Sequence, residues 1–191
     1  MRQLKHHEKK LLRKVDLYNY NHKQQKESFD TLRIAKIQRR YHLQNGRVEY
    51  IAYNKLIGQL TQLSTKLQLL SESDTFRIAM TEQLLQKCYN MGLLRSTNNM
   101  SLHDITTQIT VSQFCRRRLS SILVKLKMAP TCAMAVTLIE QSQIRVGPNI
   151  ISSPAFLVPR TLEDYVTWVD ASKIRRTVQK YNNKLDDFDL L

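Results

Sequence analysis

The chain has 191 residues, with 30 Lys and Arg against 16 Asp and Glu, a net charge of +14 and a pI near 9.9. Hydrophobic residues make up 42% and charged residues 24%, the balance of a chain that folds. The cation excess selects a polyanionic partner, nucleic acid or an anionic surface, while no apolar run approaches the roughly 18 residues of a membrane span and the N-terminus lacks an apolar signal core.

The charge is uneven. Residues 1–47 hold thirteen Lys/Arg against four Asp/Glu, residues 48–110 balance at five against five, and residues 111–127 and 171–184 each hold five cations and no acid. Three basic patches are therefore expected, and the tail reverses sign at Asp186, Asp187 and Asp189.

In chain order, Leu4, Leu11, Val15 and Tyr18 recur at helical spacing and predict a basic amphipathic helix over 3–18, with Lys9, Lys10, Arg13 and Lys14 on its other side. Residues 21–47 are polar and basic and are expected to be mobile or ordered only by a partner. A helix follows from about Val48 to Leu70, its apolar side made by Ile51, Leu56, Leu60, Leu63, Leu67 and Leu70. Asp74 caps the next helix, in which Phe76, Met80, Leu84 and Cys88 form an i, i+4 ladder and which Gly92 stops. Residues 95–108, rich in Asn, Ser and Thr, are expected to be a linker.

Ser112 then caps a helix that places Cys115, Leu119, Ile122, Leu123 and Leu126 on one arc. On that wheel Arg118 and Lys125 share one flank, Arg116 and Lys127 the other, and Arg117 the outer face, so cations frame an apolar stripe. Pro130 ends the helix and Thr131 caps another, with Met134, Ala135, Leu138 and Ile139 inward. The period then shortens to that of strands: Ile144–Val146 and Asn149–Ile151, joined through Gly147-Pro148, with Phe156–Val158 and Tyr165–Val169 completing a small sheet. Asp170 or Ser172 caps a last basic helix through Ile174, Val178 and Tyr181.

Arg116-Arg117-Arg118 is the sharpest chemical feature. Guanidinium forks bind phosphate bidentately, and A-form RNA is read mainly through its backbone and 2′-hydroxyls. With Lys125 and Lys127 beyond it, the run points to structured RNA; the plain alternative is a solvated charged face. Arg145 alternates with Ile144 and Val146, and so leaves the core, either to extend this patch or to serve solubility. Lys9, Lys10, Arg13, Lys14, Lys173, Arg175 and Arg176 are additional candidates for RNA or protein contact, or for nuclear import. No metal site or cofactor is expected, since Cys88, Cys115 and Cys132 are isolated and read as buried or half-buried thiols of a reducing compartment. Four glycines provide no phosphate loop, and no nucleophile motif is present, so no catalytic residue is assigned and no enzyme is expected.

Phe114-Cys115-Arg116-Arg117-Arg118-Leu119, Leu126-Lys127-Met128-Ala129 and Ile144-Arg145-Val146-Gly147-Pro148 together resemble the S4-type RNA-binding domain, a helix pair on a small antiparallel sheet. Phe76 to Leu94 is similar to the helical region that precedes it in the eukaryotic ribosomal form. The end segments, Leu4 to Leu12, Glu163 to Asp170 and Asp186 to Asp189, resemble the S4-domain proteins of the U3 small nucleolar ribonucleoprotein. The resemblance covers nearly the whole chain, 21–46 departing most. It implies a nucleolar component of the small-subunit processome that binds U3 small nucleolar RNA, joins M-phase phosphoprotein ten and helps U3 RNA pair with precursor ribosomal RNA. It places RNA contact on Arg116, Arg117, Arg118, Lys125, Lys127 and Arg145. The alternative is a structural S4-type protein of the mature small subunit.

The expected fold is α+β: a basic N-terminal arm (1–47), a helical region and linker (48–108), an S4-like RNA-binding domain (109–170) of a helix pair packed on a small antiparallel sheet, and a C-terminal basic helix with an acidic tail (171–191).

Overall fold

The computed structural model describes residue 3 and residues 5–12, 22–95 and 101–184; for 11–12 and 22–30 only the backbone is described. The helices are α1 (His6–Leu12), α2 (His22–Tyr41), α3 (Arg47–Gln68), α4 (Thr75–Asn90), α5 (Leu102–Gln108), α6 (Val111–Arg116), α7 (Leu119–Lys125), α8 (Cys132–Glu140), α9 (Arg160–Glu163) and α10 (Lys173–Tyr181). The strands β1 (Ile144–Val146), β2 (Asn149–Ile150) and β3 (Val166–Trp168) form an antiparallel sheet in the order β2-β1-β3. The α+β expectation holds, with a helical N-terminal half and a small sheet in the C-terminal half.

Two hydrophobic cores organise these elements. The first gathers residues from α2 to α6, among them Ile37, Tyr41, Tyr53, Leu67, Leu84, Cys88, Ile105, Phe114 and Cys115. Tyr53 and Phe114 stack there with ring centroids 5.6 Å apart, and the buried Ser64 hydroxyl donates to the Leu102 carbonyl at 2.8 Å. The second joins Leu119, Ile122 and Leu123 of α7, Ala135, Leu138 and Ile139 of α8, and Ile144, Val146 and Val166 of the sheet. The inner sheet face thus carries Ile144, Val146 and Val166, and Arg145 alternates outward.

Three caps stand where the sequence places them, whereas Ser112 lies inside α6, whose N-cap is Thr110. Asp74 accepts from the Phe76 amide at 3.0 Å, Thr131 from Met134 at 3.3 Å and Ser172 from Ile174 at 3.3 Å. Gly92 adopts a φ of 74° two residues after α4, as a helix stop requires.

Other expectations are corrected. Residues 22–47 are not merely a mobile stretch: α2 runs for 20 residues, and Ile37 and Tyr41 near its C-terminal end, with Leu43 just after it, are buried in the first core. The polar composition concealed three anchors. Residues 101–108 are not linker. Ser101 and Asp104 form a reciprocal capping box, and Leu102 and Ile105 are buried. In α3 the stripe is rotated from the one expected. Leu67 is buried and Leu60 packs on the first core as expected, but Tyr53 and Ser64 are buried instead of Ile51, Leu56 and Leu63, which are exposed, as are Leu70 just after α3 and Phe76 on α4. Met134 is likewise exposed, the inner face of α8 running through Ala135, Val136, Leu138 and Ile139. The segment at Leu157 is no sheet strand; it makes a single antiparallel bridge with Arg118. The expected helix over 3–18 falls partly outside the described residues, which show α1 from His6 to Leu12.

Candidate nucleic-acid interface

The expected single helix carrying the arginine triplet is two short helices. α6 ends at Arg116, Arg118 is extended (φ −65°, ψ 144°), and α7 begins at Leu119. Competing backbone bonds explain the break. The Leu119 amide donates to the Phe156 carbonyl at 2.8 Å, and the Val158 amide donates to the Arg117 carbonyl at 2.9 Å. Groups that would have continued the helical ladder are used across the chain instead. The break also separates the supposed apolar arc, with Cys115 in the first core and Leu119, Ile122 and Leu123 in the second.

The kink sends the three arginines to different fates. Arg116 is exposed, with a long contact of 3.4 Å from Nη1 to Gln113 Oε1. Arg117 is buried: Nε and Nη2 donate to the Val158 carbonyl at 3.0 and 2.6 Å, and Nη1 donates to Glu163 Oε2 at 2.8 Å. Arg118 is 0% exposed, its Nη1 donating to Glu49 Oε2 at 2.6 Å and to the Tyr53 hydroxyl at 3.1 Å. Arg117 and Arg118, expected on separate faces of one helix and in contact with RNA, instead hold the fold together, because a carboxylate from a distant part of the chain reaches each.

This pairing sets local electrostatics. Burial raises the Tyr53 phenol above its ordinary range, against the opposing pull of Arg118. Burial also pushes the Cys115 thiol up to about 11, and raises Cys88 and Cys132. Cys88 and Cys115 are buried and Cys132 half-buried, so all three remain protonated and poorly nucleophilic near neutral pH. At Glu163, burial by itself favours the neutral acid, but hydrogen bonds and charge from Lys125 and Arg117 outweigh it and hold the carboxyl below its ordinary 4.5.

The remaining candidates fall into groups. Lys125 is exposed but pairs with Glu163. Lys127 is exposed in the turn after α7, in the left-handed region at φ 60°. Arg145 and Arg175 meet at one carboxylate, Asp170. Lys173 and Arg176 are exposed on α10, and Lys9 and Lys10 on α1; Arg13 and Lys14 lie outside the described residues. Among the described residues no cluster of His, Cys, Asp and Glu suits a metal ion, and no helix is long and apolar enough to cross a membrane.

Sequence reasoning missed Arg160, whose Nε donates to the Tyr89 carbonyl at 2.9 Å, whose Nη2 donates to the Leu94 carbonyl at 2.6 Å, and whose guanidinium lies 4.3 Å from the Tyr89 ring centroid. It also missed the roles of Glu49, Glu163 and Asp170. No local signal marks them, since their partners lie up to 69 residues away.

Residues 3–116 match the Ribosomal protein S4/S9 N-terminal domain, and residues 117–163 match the S4 domain. The junction falls at the helix break, where the first core gives way to the second. The U3 small nucleolar ribonucleoprotein protein IMP3 of Saccharomyces cerevisiae is 48% identical over 189 residues, 99% of this chain and 98% of the relative. Its Homo sapiens counterpart is 44% identical over 190 residues, 100% of this chain and 98% of the relative. This chain belongs to that S4-domain family. The small ribosomal subunit protein uS4 of Sulfolobus acidocaldarius is more distant, 29% identical over 137 residues that cover 72% of this chain and 75% of the relative.

Proposed function

We propose that this protein is a non-enzymatic RNA-binding component of the U3 small nucleolar ribonucleoprotein, acting in the nucleolar small-subunit processome to promote pairing of U3 RNA with precursor ribosomal RNA. Its place is in small-subunit ribosomal RNA processing and ribosome biogenesis. The observation that carries the reading is likeness along the full chain: relatives at 44% and 48% identity over 98% of their length bear the U3 name, whereas the uS4 likeness is weaker and partial. That contrast favours it over a structural protein of the mature subunit.

The mechanism follows from charge. Two RNA strands approaching one another repel, and cations that neutralise phosphate reduce the repulsion. A basic protein that binds the paired or open state better than a closed hairpin shifts the balance toward pairing without ATP or a reacting group. RNA contact is assigned to the exposed cations Arg116, Lys125 and Lys127 and to the outward Arg145, with Lys9, Lys10, Lys173, Arg175 and Arg176 as further contacts. Arg117 and Arg118 support this surface from beneath. A protein partner, M-phase phosphoprotein ten, belongs to the same reading. The exposed apolar residues Leu56 and Leu63 of α3 and Phe76 of α4 favour a protein face there.

The test is annealing of U3 RNA to its precursor target by purified protein across a salt series. The wild type is expected to accelerate annealing, steeply less so as salt rises. Neutralising Arg116 and Lys127 to Gln is expected to lower the slope of log K against log salt by about 2, roughly 1 per lost contact. An unchanged rate and slope would sink the assignment.

A further inference from the structure

Asp170 lies in the turn between β3 and α10, and each of its carboxylate oxygens is taken by a different arginine. Arg145, on the outer face of β1, donates from Nη1 to Oδ2 at 2.6 Å. Arg175, in the first turn of α10, donates to Oδ1. Arg145 is steadied again by its cross-strand neighbour Thr167, whose hydroxyl accepts from Nε at 3.1 Å. Asp170 and Arg175 lie beyond the segment 117–163 that matches the S4 domain.

Two guanidinium groups repel, so a carboxylate between them is what keeps them together. The three groups still sum to one positive charge. Residues 171–184 contain no acid, and Lys173 and Arg176 are exposed on the same helix. Arg145 and Arg175 are about one third exposed, at 32% and 35% of their side chains. They are held in place and still reachable. A guanidinium carries five N–H donors. Thr167 and Asp170 engage Nε and Nη1 of Arg145, and Asp170 engages Nη1 of Arg175. Two planar forks set side by side suit the oxygens of a phosphodiester backbone.

We propose that Arg145, Asp170 and Arg175 form a second phosphate site at the C-terminal edge of the S4 domain, in which the two arginines grip the backbone of an RNA duplex and Asp170 is a positioning residue. The site rests on the RNA-binding reading given above and extends it from the S4 domain onto the C-terminal helix.

The two possible roles of Asp170 predict opposite signs. If it were only a negative charge near the RNA, its removal would tighten binding. As a positioning residue, its loss frees the two forks and weakens binding although the net charge rises by one.

The experiment is fluorescence anisotropy of a short labelled RNA duplex with the full-length protein, over a salt series. Arg145→Gln and Arg175→Gln are each expected to weaken binding roughly tenfold, the scale of one charge-assisted contact, and to lower the salt slope by about 1. Asp170→Asn is expected to weaken binding severalfold. The double variant Arg145→Lys with Arg175→Lys leaves Asp170 and the charge in place and guards against misfolding in D170N. It is expected to weaken binding while keeping the salt slope. Asp170→Asn binding as tightly as wild type or tighter, or the lysine double variant binding unchanged, overturns the site. If these variants are silent while neutralised Arg116 and Lys127 weaken binding, the second site is wrong and the broader reading stands. A wild-type protein that fails to bind the duplex overturns both.

Discussion

Glu49 and Arg118 stand 69 residues apart in the chain and 2.6 Å apart in space. Arg118 is wholly buried and Glu49 nearly so, so the interior holds an ion pair whose value depends on both members. Arg118 Nε and Nη2 find no acceptor among the described residues, which leaves Nη1 to satisfy the charge. Glu49→Ala is therefore expected to cost about 3–5 kcal/mol, the scale for stranding a buried charge. Replacing both, Glu49→Leu with Arg118→Met, is expected to cost much less, because no unpaired ion remains. Chemical denaturation of the two variants compares them directly; equal losses would show that the pairing is not the source of the effect. Glu163 makes a different prediction. Its carboxyl is held below 4.5 in the folded state, so its contribution is complete above that pH and is lost as pH falls through the lowered value. Glu163→Gln should be less stable than wild type at neutral pH, and thermal melts should show the gap closing as the solution is acidified below pH 4.5. A gap that stays constant with pH would contradict the linkage.

Among the elements, the end of α4 is the most constrained. Gly92 has a φ of 74°, and a Cβ placed there would lie 2.7 Å from Arg117 Nε and 2.8 Å from its Cζ. That guanidinium has little room to retreat, because Val158 and Glu163 already hold it. Gly92→Ala is expected to destabilise by about 1–3 kcal/mol from backbone conformation, and to loosen Arg117 as well, read as a lowered melting temperature. A variant as stable as wild type would mean that Arg117 is free to move. The helix break at Arg117-Arg118 shows the same dependence on partners. Both halves have ordinary helical sequences, and nothing local ends α6. The ladder stops because residues 156–158 offer backbone partners from across the fold. A helical wheel drawn through 112–126 reads local period correctly and still misplaces the side chains, since it assumes one axis.

At the scale of the molecule, polar side chains sew two cores together. Arg118 reaches back to α3, Arg117 reaches forward to Val158 and Glu163, Arg160 grips the carbonyls after and within α4, and Gln44 meets Glu140 of α8. Of the five arginines between 116 and 160, Arg117, Arg118 and Arg160 hold this seam, which leaves Arg116 and Arg145 as the outward pair. The net charge of +14 therefore overstates the cations available to RNA. It is also why a salt-slope measurement on single exposed residues says more than reversal of the whole triplet, which would break the fold along with any contact.

By itself the sequence determined the cation excess that favours a polyanionic partner, the helical first half, the short strands at Ile144 and Val166, and the caps at Asp74, Thr131 and Ser172. Each of these rests on charge or on bonds among near neighbours. Tertiary structure decided which cations are structural and which are exposed, why α2 and α5 are ordered, and that Asp170 joins two arginines. Those outcomes depend on carboxylates and carbonyls that arrive from tens of residues away, and no periodicity in a linear chain records where a distant partner will come to rest.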